Sequence, residues 1–200
     1  MTTVAPFGSI LIELHASGSN CGIDTVGLAT ATNLVCLNAS RNPRIQSVAH
    51  FASTLLELGA GGDSGIGDAA LALATNIVWL DCSNNDQMAP FGASLRHLVA
   101  DFFSSLCDSG LATATNLVTL NCSSNPKITS LAFCATSLQE LSAKGLCGVC
   151  GDEIATMGPQ LWKVGKWDND HITAQHLEGF TAVDGDGSLF ARRSPASLSW

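Results

Sequence analysis

Tyrosine is absent, and basic residues are scarce: nine lysines and arginines are scattered over 200 positions. Charged residues of both signs make up only 13% of the chain, and the net charge at pH 7 is −8. A chain this poor in cations has no electrostatic footprint for a phosphate backbone, so nucleic acid is not an expected partner. An anionic membrane surface is set aside for the same reason. No apolar run reaches the roughly 18 residues that suggest a membrane span. The opening MTTVAPFGSILIEL lacks the basic start and long apolar stretch of a secretory signal.

What remains is apolar and small. Hydrophobic residues reach 46%, with Gly, Ala, Ser, Thr and Leu dominant. That is far from a disordered composition, and 200 residues suffice to bury a sizeable core. Eight cysteines admit two readings, disulfides in a secreted protein or thiols in a reducing compartment. Cys82 and Cys122 occupy positions that other copies of a repeat fill with Ala, as small buried hydrophobes do. No cysteine pair follows a cap-like disulfide pattern, so the expected location is cytoplasmic.

The chain repeats itself. TATNLVCLNASRNPRIQSVAHFASTLLEL (Thr30 to Leu58) aligns without a gap to TATNLVTLNCSSNPKITSLAFCATSLQEL (Thr113 to Leu141). ALATNIVWLDCSNNDQMAPFGASLRHL (Ala72 to Leu98) is the same text with three residues missing. A long unit of roughly 40–44 residues holds two short units of about 18–23. Each short unit carries L-x-x-L-x-(A/C). Nine copies run from Leu11-Leu14-Ala16 to the degraded Leu161-Val164-Lys166 and Leu177-Phe180-Ala182. Alternate units add Asn42, Asn85, Asn125 and Asn169.

The spacing has a structural meaning. The second and third apolar residues are two apart, so a strand points both to one face. One such strand cannot bury that face alone; copies stacked about 4.8 Å apart can. An Asn side chain can both donate to and accept from the turn that leaves the strand.

This pattern resembles the leucine-rich repeat family, L-x-x-L-x-L-x-x-N, with Ala or Cys in place of the third Leu. The resemblance implies an α/β repeat solenoid: a right-handed horseshoe or arc with a concave parallel sheet and short helices or 3-10 turns on the convex side. Residues 1–183 form the repeat domain and 184–200 a tail expected to be flexible. GIGDAALALATN reads as a helical return of ribonuclease-inhibitor-like style, with Asp68 as its cap. NPKITSLAFCATS reads as an extended or 3-10 return of internalin-like style.

Several strings look chemical. Gly62-Asp63-Ser64-Gly65 spells the surroundings of a trypsin-like serine nucleophile, and Val48-Ala49-His50 echoes the histidine motif. Ser64, however, holds the repeat position of Cys21, Ser104 and Cys147, and a repeat array does not supply the double barrel that assembles such a triad. The expectation is a turn, with a Ser64 hydrolase as the remote alternative. Cys147-Gly-Val-Cys150 lacks the second pair a structural zinc site needs. Asp168, Asp170, Asp184 and Asp186 lack the spacing of an EF-hand loop. Arg192-Arg193-Ser194-Pro195 is a kinase-substrate-like string in the tail. No catalytic residue, metal or cofactor is expected.

The residues flanking the core positions vary from unit to unit while the core does not. They define the expected partner-binding, concave face: Glu13, His15, Glu57, Trp79, Asp81, Arg96, His97, Asp101, Thr119, Asn121, Glu140, Trp162, Lys163 and Trp167. Exposed Trp and Arg are the residues that anchor protein interfaces. The expected function is a non-enzymatic scaffold binding another protein there. The alternative is the recognition arm of a larger receptor, kinase or ubiquitin-ligase adaptor.

Overall fold

The structure, a computed structural model, describes residues 1–88, 92–185 and 188–193. Eight three-residue strands follow one another along the chain: Glu13–His15 (β1), Cys36–Asn38 (β2), Glu57–Gly59 (β3), Trp79–Asp81 (β4), His97–Val99 (β5), Thr119–Asn121 (β6), Glu140–Ser142 (β7) and Lys163–Gly165 (β8). Each pairs in parallel with its sequence neighbour, giving one open sheet in sequential order. The register is uniform, so Leu14, Leu37, Leu58, Leu80, Leu98, Leu120, Leu141 and Val164 form one row.

That row and the small residues two positions on build the core. Leu37, Leu58, Leu80, Ala39, Ala60, Cys82, Ala100, Cys122 and Ala143 are fully buried. Ala or Cys fits there because the next layer, Ile23, Ile66, Leu106 and Val149 from the return segments, packs into the same buried cluster. Each buried Leu contributes about 2 kcal/mol of apolar burial, and only in the presence of its neighbours.

The returns alternate as the two sequence styles imply. Short α-helices follow β3, β5 and β7: Asp68–Leu71 (α1), Asp108–Leu111 (α2) and Gly151–Thr156 (α3). The first unit uses a 3-10 turn, Val26–Leu28, at the same place. The Pro-bearing returns carry 3-10 turns at Ala49–Phe51 and Ala132–Cys134. Asp68 is not the cap of α1: Gly67 is, and Asp68 is the first helical residue. A carboxylate in the first turn still favours the helix through its dipole.

The ninth Leu-centred stretch is corrected by the structure. Leu177-Phe180-Ala182 adds no parallel strand, so among the described residues there are eight parallel strands and not nine. Gly179, at φ 86, turns the chain before Phe180–Gly185 (β9). That strand pairs antiparallel with Ser188–Arg193 (β10), which pairs antiparallel with β8. Thus β10 lies within the stretch 184–200 set aside above as a tail. Asp186, Ser194 and Pro195 lie outside the described residues, as do 89–91.

Two devices close the units, one recurring along the array and one in alternate units. The backbone ladder runs beyond the strands: Ala39 N donates to Gly59 O and Arg41 N to Gly61 O, and later units repeat the pair. The residue that ends this ladder takes a positive φ at Gly18, Arg41, Gly62, Asn84, Ser124 and Gly145, and Phe102 and Asp168 at the same position take one too. The second device is the Asn of alternate units. Asn42 Nδ2 donates to Ala16 O and Ile23 O of the preceding unit, at 2.8 and 3.1 Å, while Oδ1 accepts from Arg44 N at 3.0 Å. Asn85, Asn125 and Asn169 repeat this, all buried. A buried amide with every bond made is worth its polarity; with bonds missing it is a penalty.

Candidate interaction face

Because strands alternate faces, the residues beside the core row project from the sheet's other side. The register lines up Glu13, Cys36, Glu57, Trp79, His97, Thr119, Glu140 and Lys163 in one row, and His15, Asn38, Gly59, Asp81, Val99, Asn121, Ser142 and Gly165 in the next. Asp101 and Trp167 come two residues past β5 and β8; Arg96 and Trp162 come just before them.

The first five strands enclose a hollow of about 540 Å³. It gathers Glu13, His15, Glu57, Trp79, Asp81 and His97, with Cys36 between them. Gly59 supplies depth, since a Cβ there would stand 3.1 Å from Asn38 Oδ1. Inside the hollow, His15 Nε2 lies 3.0 Å from Glu13 Oε1, and His97 Nδ1 lies 3.0 Å from Thr119 Oγ1. Burial, then the Glu57 and Glu13 charges, push the Cys36 thiol above its ordinary value, so Cys36 is a neutral lining group.

A second hollow of about 720 Å³ adjoins it at the strand ends, sharing Asn38, Ser40 and Asp81. Here Ser83 N and Oγ both donate to Asp81 Oδ1, at 2.9 and 2.6 Å, and Asn121 Nδ2 donates to Asp101 Oδ2 at 3.1 Å. Burial pushes the Asp101 carboxyl up, with Asp81 adding to it and the bonds from Ser83 and Asn121 opposing. Phe102 and Phe103 line the far wall, each 60% exposed and both at positive φ, 48° and 62°. The other units fill this left-handed turn mostly with Gly, Asn, Ser or Asp; a phenylalanine there costs roughly 1–2 kcal/mol.

Beyond β5 the face changes. A depression of about 160 Å³ is lined by Thr119, Asn121, Glu140 and Lys163. Lys163 Nζ donates to Glu140 Oε2 at 2.8 Å and lies 6.0 Å from the Trp162 ring centre. The hollows do not reach Arg96, Trp162 or Trp167. Sequence reasoning missed Phe102 and Phe103. The sequence held no common signal for this position, which the other units fill with Gly, Arg, Asn, Ser or Asp.

The chemical-looking strings resolve as follows. Ser64 is buried, and its Oγ accepts from Ile66 N at 3.3 Å. The cavity of about 360 Å³ beside it is lined by Asp63, Asp86 and Gln87 among others, with no histidine. His50 is exposed on the 3-10 turn Ala49–Phe51. Cys150 precedes α3 as its N-cap residue, while Cys147 turns inward. Among the described residues no His/Cys/Asp/Glu group is arranged to hold a metal ion, and no helix is long and apolar enough to cross a membrane. A scan against protein-family models finds none that matches the chain, and a search of curated proteins finds no match.

Proposed function

We propose that this protein is a non-catalytic interaction module of leucine-rich repeat type, a right-handed arc whose concave sheet face binds a segment of another protein. The observation that supports it is the joined pair of hollows over β1–β5, walled by Trp79, Phe102 and Phe103 and floored by Glu13, Glu57, Asp81 and Asp101. Apolar walls beside carboxylates suit a segment that carries a cationic side chain next to an aromatic or aliphatic one. The cation is attracted by the carboxylates and by the Trp79 ring face, and the apolar side chain removes the phenyl rings from water. The module's net charge of −8 steers such a segment inward, so association weakens with salt.

The test is an array of immobilised peptides graded from acidic to basic, probed with the wild type and with Trp79→Ala and Phe102→Gly variants. Basic-aromatic peptides should retain the wild type and lose both variants. Equal retention of acidic and basic peptides, or no loss on substitution, would sink the reading. Absence of catalysis is tested separately: a fluorophosphonate should leave Ser64 unlabelled, as a buried hydroxyl engaged in its own turn is a poor nucleophile.

A further inference from the structure

The eight cysteines include one pair in direct contact. Cys122 follows β6 and faces the core; Cys147 lies on the turn between β7 and α3, 25 residues later. Their sulfurs are 3.4 Å apart, and both side chains are buried. We propose that Cys122 and Cys147 form a reversible disulfide that staples the sixth and seventh units together.

The repeat itself frames the argument. The position of Cys122 is held in other units by Ala16, Ala39, Ala60, Cys82, Ala100 and Ala143, all buried. The position of Cys147 is held by Cys21, Ser64 and Ser104. Adjacent copies therefore bring together Ala39 with Ser64, Cys82 with Ser104, and Cys122 with Cys147. Only the last combination places two thiols on this shared register. Cys150, the sequence partner of Cys147, sits at the start of α3 and is not the residue its sulfur meets.

The two thiols are unequal. The hydrogen bond from Cys122 lowers the Cys147 thiol below its ordinary value, and the same bond with burial raises Cys122. Cys147, on the turn and not beside a strand, is the sulfur that local opening exposes and therefore the attacking one. With a low-molecular-weight disulfide of the glutathione class as oxidant, the Cys147 thiolate attacks one oxidant sulfur and expels a thiol. The mixed disulfide on Cys147 is then attacked by Cys122, which gives up its proton, and the second thiol leaves. The protein loses two hydrogens and two electrons, and one oxidant disulfide becomes two thiols. Access comes through the turn Gly145-Leu146-Cys147-Gly148, where Gly145 is at φ 60 and Leu146 is 74% exposed. Local opening of that turn presents Cys147 to solvent.

The test uses the full chain folded in buffer with glutathione disulfide, followed by unfolding, alkylation of free thiols and non-reducing peptide mapping. The expected product joins the peptides of Cys122 and Cys147, with Cys82 still alkylated. Oxidation should raise the unfolding temperature by roughly 5–10 °C, reversibly with a reductant. The variants Cys122→Ala and Cys147→Ser introduce residues that other copies already carry at these positions, so both are expected to fold. Each should abolish the linked peptide and the thermal shift. Alkylation of both cysteines after oxidation, or linkage of Cys147 to Cys150 in the wild type, would overturn the proposal.

Discussion

Over β1–β5 the face of the sheet opposite the core is a pair of hollows with three acidic residues in one and two in the other, one of them shared. Over β6–β8 it is a shallow depression in which Glu140 and Lys163 neutralise each other. The backbone beneath the two stretches is the same: three-residue strands in one register, ladders that run past the strand ends, and a buried Asn in alternate units. Everything that differs lies in side chains the core does not constrain. A repeat array therefore separates the residues that hold it together from those left to vary on its other face. In one stretch Glu13, Asp81 and Asp101 meet His15, Ser83 and Asn121; in the other Glu140 meets a lysine.

The comparison breaks first if the shared interior is not shared. Asn85→Ala and Asn125→Ala each remove three backbone bonds of one buried amide. Each should cost about 3 kcal/mol in chemical denaturation, and the two should agree. A large cost for one and none for the other would mean that the two stretches are not built alike. The next effect is on binding. Trp79→Ala should weaken a basic-aromatic peptide roughly tenfold or more, while Trp162→Ala on the paired stretch should leave it within about twofold, by titration calorimetry. The ion pair is smaller still: Glu140→Gln should change stability by no more than about 0.5 kcal/mol, since both side chains are about one-third exposed.

Asp101 gives the smallest effect and a signed one. Burial raises its folded pKa above the ordinary value, so the folded state prefers the protonated form. Its favourable contribution is complete below the unfolded pKa of about 3.8 and is lost as pH rises through the folded value. Asp101→Asn removes that loss, so the variant should gain stability relative to the wild type as pH rises above the unfolded value and keep a constant difference from it below. A variant that loses ground to the wild type with rising pH would reverse the sign.

The parallel sheet was legible because Leu and Ala recur at the one spacing that a strand sends inward, as in Leu34-Leu37-Ala39. The face rows were legible for the same reason, since what alternates with the core must point away. The ninth unit misled because Leu177-Phe180-Ala182 keeps the spacing, while the reversal depends on Gly179 and on pairing with β10, a contact no local pattern encodes. The hollows escaped notice because their depth comes from what Gly59 lacks and their wall from Phe102 and Phe103. The left-handed turn that orients those rings is filled so variously, by Gly18, Arg41, Asn84 and Ser124, that it leaves no common letter. The contact of Cys122 with Cys147 was hidden by the nearer Cys150.

The asparagine bracket also limits how such a chain can grow or shrink. Asn42, Asn85, Asn125 and Asn169 each fasten to the unit before them, which has no such residue and offers the free carbonyls of its return. Excising a single short unit would leave an amide facing a neighbour of the wrong kind. Viable length variants should therefore gain or lose the units two at a time.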